Sequence, residues 1–290
     1  MAQNTYHTLR LLFPQWQGGN NPPYFFGSQL LAWLAPPAQG AVEEVSVPAP
    51  TKAALVNEEG IVGSRAVVEQ LLDAQDKITR TQPESIVTLG GDCLVSLAPF
   101  AWLAERYGDK LGVLWIDSHP DIMTPEQFPH AHAHVLGALM GNGDVELTQV
   151  VRKPLSPGKA LIAGIHNPLD VEKQFISERG IATLSPSELR QNPQAIDEWI
   201  AREGVEYLAI HLDLDVLDPA LFRAVLFARP GRGVHDFGDV AEGKLTIAEV
   251  VNFINQAAAQ AKPVGLTVAE HLPWDALSLK NMLEALPLLS

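Results

Sequence analysis

The sequence predicts a three-layer αβα protein built on an eight-stranded, mostly parallel sheet. Eight short apolar, β-prone segments recur along the 290 residues, and stretches of helical periodicity separate many of them. Several of these segments are apolar on both faces, as strands are when helices cover both sides of a sheet. A closed eight-stranded barrel would show the same spacing, and it stays open as the alternative architecture.

The elements follow in order along the chain. The predicted strands are 6–13, 42–48, 85–89, 112–117, 159–165, 180–184, 206–213 and 263–270. The predicted helices are 64–80, 96–107, 134–141, 170–179, 193–203, 246–261 and 275–286. Ser96 and Thr246 are the expected N-caps of two helices. Residues 229–243 are expected to form a surface loop, and no linker divides the chain, so we expect a single domain over 1–290.

Composition excludes several classes of function. The net charge of −14 argues against nucleic acid or an anionic membrane as the main partner. No apolar run reaches the roughly 18 residues that span a bilayer, and two prolines interrupt the weakly signal-like stretch at 25–41. The single cysteine, Cys93, rules out an internal disulfide and fits a reducing compartment. A cytoplasmic location is therefore expected.

Ionisable and amide side chains follow five of the predicted strands. Open α/β sheets bind ligands at the carboxyl ends of their strands, so these side chains are expected to meet at one edge. They are Asp92 and Cys93, Asp117 to Asp121, His166 and Asn167, Asp213 to Asp218, and Glu270 and His271.

Carboxylates and one histidine alternate at the end of the fourth strand. Asp117, His119 and Asp121 occupy positions i, i+2 and i+4, which share one face of an extended chain. Asp213 and Asp215 repeat this spacing after the seventh strand. Such ligands suit one or two hard or borderline divalent cations. The alternatives are ordinary structure: a solvated loop with a helix-capping acid in the first case, and a plain turn in the second.

These motifs resemble those of the arginase/agmatinase (ureohydrolase) family, whose fold is shared by the histone deacetylases. The family motifs are Gly-Gly-Asp-His, Asp-Ala-His-x-Asp, His-Gly, Asp-x-Asp-x-x-Asp-Pro and Gly-Leu-x-x-x-Glu. Their counterparts here are 90–93, 117–121, 132–133, 213–219 and 265–270. Order and spacing agree from about residue 85 onwards, whereas the first 80 residues contribute little.

The resemblance implies a hydrolase of guanidino or amidino C–N bonds that uses two Mn²⁺ ions. Asp117 and Asp213 would bridge the ions, and a shared water of lowered pKa would supply hydroxide. The implied ligands of the separate ions are His119 and Asp215 for one, and Asp121 and Cys93 for the other. The implied partner is a small guanidino or amidino molecule, and the family analogy implies a homo-oligomer.

The resemblance also implies residues that act on the substrate. Glu270 would orient the guanidinium through a charge-assisted contact. His132 aligns with a family histidine that shuttles a proton or contacts the substrate. His130 and His134 alternate with His132, and the sequence leaves open which of the three acts.

Cys93 stands where the family has a metal-binding histidine. Thiolate is a softer ligand than Mn²⁺ prefers, so several interpretations stay open. In one interpretation, the ion beside Cys93 is a softer one such as Zn²⁺. In another, the metal site that contains Cys93 is weak or empty, which leaves a one-metal arrangement similar to that of the deacetylases. Alternatively, Cys93 packs as a small apolar residue or acts as a nucleophile.

The specificity loop after Asp121 also departs from the family. Met123 and Phe128 make it more apolar, and Glu126 is expected to repel a carboxylate. His166 and Asn167, candidate substrate-binding residues, replace a more acidic segment. L-Arginine is therefore not the expected substrate; agmatine-like amines, other guanidino compounds and formimino compounds remain. The competing functions are a single-metal deacetylase-like amide hydrolase and a catalytically inactive binding protein.

Overall fold

The structure, a computed structural model, describes residues 7–233 and 236–287. Its strands are Thr8–Phe13 (β1), Ala41–Glu44 (β2), Asn57–Glu58 (β3), Ile61–Val62 (β4), Ser85–Gly90 (β5), Leu111–Ile116 (β6), Ala160–Ala163 (β7), Ala182–Leu184 (β8), Tyr207–Asp213 (β9) and Lys262–Ala269 (β10). Position 6, where the first predicted strand begins, and positions 234–235 of the predicted loop lie outside the described residues.

Ten α-helices, several of them short, accompany these strands in the described residues. They are Pro23–Leu34 (α1), Ser64–Thr81 (α2), Leu97–Tyr107 (α3), Val135–Leu139 (α4), Val145–Thr148 (α5), Asp170–Arg179 (α6), Pro186–Gln191 (α7), Ala195–Glu203 (α8), Ile247–Gln260 (α9) and Trp274–Glu284 (α10). Within the described ranges, no helix is both long and apolar enough to cross a bilayer.

Eight strands form one parallel sheet in the order β2-β1-β5-β10-β9-β6-β7-β8. The two remaining strands, β3 and β4, form a separate antiparallel pair. The order of the large sheet ends at β2 and β8, so within the described residues it is open rather than a closed barrel. This confirms the predicted eight-stranded parallel sheet.

Apolar side chains cover both faces of the central strands. All six residues of β6 are buried. Val113 and Trp115 belong to the core that contains α2 and α3, whereas Leu114 and Ile116 belong to the core that contains α8 and α9. Because successive side chains of a strand point to opposite faces, these two cores lie on opposite sides of the sheet. The result is the predicted three-layer arrangement.

The predicted helices are all present, and the sequence pattern missed three others and the β3–β4 pair. The missed helices are α1, α5 and α7. Helix α1 (PYFFGSQLLAWL) is apolar nearly all round, so it offers no one-sided stripe by which an amphipathic helix is recognised. It occupies the stretch that weakly imitates a signal peptide.

One of the two predicted helix caps is confirmed and the other is wrong. Thr246 accepts a hydrogen bond from the Glu249 N–H and forms a reciprocal capping box with that residue. Ser96 makes no side-chain cap to α3, because its Oγ lies 2.7 Å from Nδ1 of His211. The chain enters α3 through a 3₁₀ turn at Cys93–Ser96, which Asp92 caps by accepting from the Leu94 N–H.

Candidate metal centre

The four central strands β5, β10, β9 and β6 are neighbours, and their carboxyl ends share one edge of the sheet. Side chains that are far apart in sequence therefore meet there, as the sequence predicts for the carboxyl edge of a parallel sheet. The buried residues at this edge are Cys93, Asp117, Asp121, Asp213, Asp215 and Glu270. His119 lies beside them with 27% of its side chain exposed.

Asp117, His119 and Asp215 form a compact group, which we call the His119 cluster. One potential ligand atom from each residue lies within 4.8 Å of the others. Nδ1 of His119 is 3.4 Å from Oδ1 of Asp117 and 3.2 Å from Oδ2 of Asp215. Nε2 of the same ring lies 3.1 Å from the carbonyl oxygen of Ala241. A backbone contact of this kind orients a ligating imidazole.

A second group, the Cys93 cluster, contains Cys93, Asp117, Asp121 and His211, again with ligand atoms within 4.8 Å of one another. Asp117 belongs to both clusters, so they are adjacent. Cys93 also groups with Asp213 and Glu270. Its Sγ–H donates to Oδ2 of Asp213 at 2.8 Å and lies 3.7 Å from Oε1 of Glu270.

Tight turns after β6 and β9 place the carboxylates. Oδ1 of Asp117 accepts from the His119 N–H at 2.7 Å, and Oδ1 of Asp213 accepts from the Asp215 N–H at 2.6 Å. Asp121 and Glu270 adopt left-handed backbone conformations, with φ of 49° and 63°. Such conformations are costly for residues other than glycine, and they cluster at functional sites.

The electrostatics of the site fit bound cations. Burial, followed by the charge of Asp215, raises the pKa of Asp117, Asp213 and Glu270. The pKa of Asp121 is raised in the same way, by burial and by Asp117. Buried carboxyl oxygens of Asp121 and Asp215 also have no hydrogen-bond partner in the described part of the chain. Divalent cations would offset this crowded negative charge and occupy the free oxygens.

Cys93 is a buried thiol that faces carboxylates. Burial and the charge of Asp213 raise its pKa well above the usual range, which disfavours the nucleophilic thiolate. The contacts of its sulfur with Asp213 and Glu270 differ from those of a cysteine packed only among apolar groups. A cation would displace the thiol proton and make the sulfur a ligand.

A cavity of about 490 Å³ leads from the surface to both clusters. Several of its lining residues are apolar or aromatic: Met123, Phe128, Leu226, Phe227, Phe237 and Val240. The candidate substrate-binding residues His166 and Asn167 also line it. Glu126 is exposed and is not among the described residues that line the cavity, and its expected repulsion of a carboxylate stays a prediction.

The three alternating histidines separate in the structure. His130 and His132 line the cavity, whereas His134 is fully buried and directs Nε2 at the carbonyl oxygen of Phe128, 2.8 Å away. Nδ1 of His132 lies 3.1 Å from the carbonyl oxygen of Gly18. Burial lowers the pKa of His132 to about 4, so its imidazole is neutral near pH 7.

Glu270 has a partner that the sequence pattern did not indicate. Its Oε2 accepts a hydrogen bond of 2.5 Å from the hydroxyl of Tyr24 in α1. Gly27 of that helix packs so closely on the backbone of His271 that an added Cβ would lie 1.7 Å from its carbonyl oxygen. This close approach holds α1 against the end of β10, beside Glu270.

Asp92 and Glu172 are further site residues that the sequence motifs did not single out for a role. Asp92 is fully buried and accepts from the Gly19 N–H at 3.0 Å, which ties the loop at 18–21 to the sheet edge. Burial raises its pKa to about 7. Glu172 lines the cavity, and its carboxylate accepts from the Leu169 N–H at 2.6 Å. In the sequence, the position of Glu172 near the start of the predicted helix 170–179 was the feature that could have indicated its place beside the cavity.

Comparison with known proteins decides the family. The model of the arginase family matches residues 42–273. This chain belongs to the arginase family. It is 32% identical over 160 residues to the arginase of Bacillus caldovelox, a match that covers 52% of this chain and 53% of that protein. The chain therefore spans about half the length of the curated relative that it matches.

Solved structures share the arginase-family fold across nearly the whole chain. Entamoeba histolytica arginase, crystallised with L-ornithine, superposes with a TM-score of 0.76 at 18% identity, covering 92% of each chain. The formimidoylglutamase of Bacillus subtilis superposes with a TM-score of 0.67 at 13% identity, covering 94% of this chain and 81% of that one. The expected family and fold are both confirmed.

Proposed function

We propose that the protein is a metal-dependent hydrolase of a guanidino or amidino C–N bond. The observation that carries the proposal is the pair of adjacent clusters joined by Asp117. One carboxylate shared by two groups of potential ligands is what a site for two neighbouring cations requires. Membership of the arginase family supports the same reaction class.

The described side chains fit two divalent cations, for which we propose Mn²⁺ or Zn²⁺. The His119 cluster would hold one ion, and Cys93, Asp121 and Asp213 would complete the surroundings of the other together with the shared Asp117. When bound, such ions would act as Lewis acids that lower the pKa of water at the site, so that hydroxide would be available as the nucleophile near neutral pH. The free oxygens of Asp121 and Asp215 support this assignment.

Glu270 and His132 would act on the substrate itself. Glu270 has a carboxylate available for a charge-assisted contact with a guanidinium, and its bond from Tyr24 fixes the direction of that carboxylate. His132 directs Nδ1 at a backbone carbonyl, so Nδ1 carries the proton and Nε2 is the basic nitrogen. A neutral imidazole lining the cavity can accept a hydrogen bond from a substrate N–H through Nε2, so we propose that His132 contacts the substrate there.

We propose a substrate other than L-arginine. Met123 and Phe128 give the cavity an apolar wall, and the polar side chains of His166 and Asn167 line the same cavity. These features favour an agmatine-like amine, another guanidino compound or a formimino compound over a zwitterionic amino acid. The fold also occurs in a protein named formimidoylglutamase, which makes the third class worth testing.

Product release from a substrate panel tests the proposal. The protein, loaded with Mn²⁺ or with Zn²⁺, is incubated with L-arginine, agmatine, guanidino acids and a formimino acid, and urea, formamide and ammonia are measured. We expect turnover of at least one compound and a larger kcat/KM for it than for L-arginine. Glu270→Gln should abolish turnover, whereas Glu69→Gln, an exposed change in the middle of α2, should leave it unchanged. Protein that holds two ions and turns over none of the panel contradicts the proposed reaction.

A single-metal amide hydrolase is the second candidate, favoured by the compactness of the His119 cluster. That cluster alone supplies two carboxylates and one imidazole, and such a three-ligand set is sufficient for one catalytic ion. One ion per chain with release of acetate from an acetylated amine would support it.

We further propose a cytoplasmic homo-oligomer of single-domain chains, by analogy with the family and from the single buried cysteine.

A further inference from the structure

His211 is a fully buried histidine on β9 that the arginase-family motifs leave without a role. It lies two residues before Asp213, so both side chains point to the same face of the sheet. Trp115, its register partner on β6, stacks on the imidazole with ring centroids 3.7 Å apart and planes 9° from parallel. The ring is therefore held in one orientation beneath the metal centre.

The two ring nitrogens of His211 have different surroundings. Nδ1 lies 2.7 Å from Oγ of Ser96. Nε2 is buried and has no hydrogen-bond partner among the described residues. Buried polar atoms in proteins nearly always have a partner, so an unused imidazole nitrogen calls for an explanation.

The neighbours of His211 supply that explanation. A nitrogen of this ring lies within 4.8 Å of ligand atoms of Cys93, Asp117 and Asp121, and those atoms are equally close to one another. Two ligands on opposite sides of an ion with bonds of about 2.3 Å lie about 4.6 Å apart. The four atoms are therefore close enough to one another to be candidate ligands of a single ion.

We infer that Nε2 of His211 ligates the ion of the Cys93 cluster, an inference that rests on the metal site of the proposed function. The family resemblance places an imidazole ligand at position 93, where this chain has a thiol. In this assignment His211 restores the missing imidazole from the neighbouring strand, and Cys93 adds a sulfur ligand. The ion is then held by one sulfur, one nitrogen and carboxylate oxygens.

This donor set selects a borderline divalent transition-metal ion such as Zn²⁺ over Mn²⁺. Thiolate and imidazole are preferred ligands of Zn²⁺, whereas Mn²⁺ prefers carboxylate, carbonyl and water oxygens. The His119 cluster contains two carboxylates and no sulfur, so its preference differs. The two positions are therefore expected to discriminate between metals, with the Cys93 cluster as the more selective for Zn²⁺.

Ser96 is a positioning residue in this arrangement. A ligating histidine usually donates its other ring N–H to a fixed oxygen, which sets the tautomer and aims the ligating nitrogen. The contact of Ser96 Oγ with Nδ1 has this role. It also explains why the hydroxyl of Ser96 does not cap α3.

Metal titration of two histidine variants tests the inference. His211→Phe keeps a ring to stack on Trp115 but removes Nε2, and His134→Phe is the matched control, because His134 is equally buried and lies outside both clusters. Stripped protein is titrated with Zn²⁺ against a competing chelator. We expect wild type and His134→Phe to bind two ions, and His211→Phe to lose at least tenfold in affinity for one of them. Unchanged affinity for both ions in folded His211→Phe overturns the inference.

A crystal structure of Zn²⁺-loaded wild type gives a second readout that needs no variant. We expect Nε2 of His211 at about 2.0–2.1 Å from one ion. Two ions with Nε2 outside coordination distance of both would overturn the inference and leave the proposed function standing. Conversely, a His211-bound ion in a protein that hydrolyses no guanidino or amidino compound would refute only the proposed function.

Discussion

Asp213 joins two parts of the site through its two carboxyl oxygens. Oδ1 fixes the turn to Asp215, and Oδ2 accepts from the thiol of Cys93. Loss of this carboxylate would free the turn that carries Asp215 of the His119 cluster and would remove the acceptor of the Cys93 thiol. We propose that Asp213 bridges the two ions.

Asp213→Ala is therefore expected to abolish metal retention. The substitution removes a bridging carboxylate and leaves the backbone of Asp215 without its acceptor, so both ions lose ligand geometry. Metal content per chain after gel filtration measures the effect. Asp218→Ala is the control, because in the described part of the chain that carboxylate accepts from the Ala220 N–H in the next loop. Full metal occupancy in Asp213→Ala would rule out the bridging role.

Loss of the Tyr24 hydroxyl is expected to lower kcat/KM, because this hydroxyl fixes the direction of the Glu270 carboxylate. A hydrogen bond to a charged group is worth about 1.5–3 kcal/mol, which corresponds to roughly a tenfold to hundredfold loss of kcat/KM. Tyr24→Phe should show that loss in the urea-release assay without loss of metal. Tyr107→Phe is the control, since Tyr107 donates to the carbonyl oxygen of Glu84 away from the site. Equal kcat/KM values for the two variants would argue against the role of Tyr24.

At the scale of elements, sequence pattern was a good guide to strands and amphipathic helices and a poor guide to α1. The strong one-sided apolar stripe of α2, with Val67 and Leu71 buried, is visible in sequence. In α1, by contrast, Tyr24 and Gly27 make their important contacts with Glu270 and His271, which are some 240 positions away in the chain. Only the folded chain shows why those residues stand there.

The capping box of α9 makes a pH-dependent contribution to stability. The pKa of Glu249 is lowered from 4.5 to about 2. The hydrogen bond from Arg190 has the largest effect, and the hydrogen bond from the Thr246 N–H adds to it, whereas burial acts in the opposite direction. A carboxyl group whose pKa is lower in the folded state stabilises that state at pH values above its unfolded-state pKa. This stabilisation is lost as the pH falls towards its folded-state pKa. The relevant window is therefore between about pH 4.5 and pH 2.

Glu249→Gln is expected to lower the free energy of unfolding by about 1 kcal/mol at pH 7. The difference from wild type should shrink as pH falls from 4.5 to about 2, because the wild-type carboxyl becomes protonated there. Urea denaturation at several pH values measures this. Glu69→Gln, an exposed change in the middle of α2, should show no such dependence. A constant difference across the window would show that the charge of Glu249 has no part in it.

At the scale of the molecule, strand order decides which residues meet. Parallel strands with polar carboxyl ends predict a shared edge, and the structure brings the motif residues together there as expected. The adjacency of β5, β10, β9 and β6 does not follow from the sequence, although it places Glu270 beside Cys93. The sequence pattern does not single out His211, because an isolated histidine in an apolar strand is typical of an ordinary core residue. Its spacing of two from Asp213 was the available signal.

The central claim is that buried carboxylates at one sheet edge hold two cations, and the number of ions per chain tests it most directly. Protein stripped with a chelator, reloaded with Mn²⁺ or Zn²⁺ and freed of excess metal is assayed for metal and for protein concentration. The account predicts two ions per chain with at least one of these metals. Retention of one ion or none per chain with both metals would contradict it.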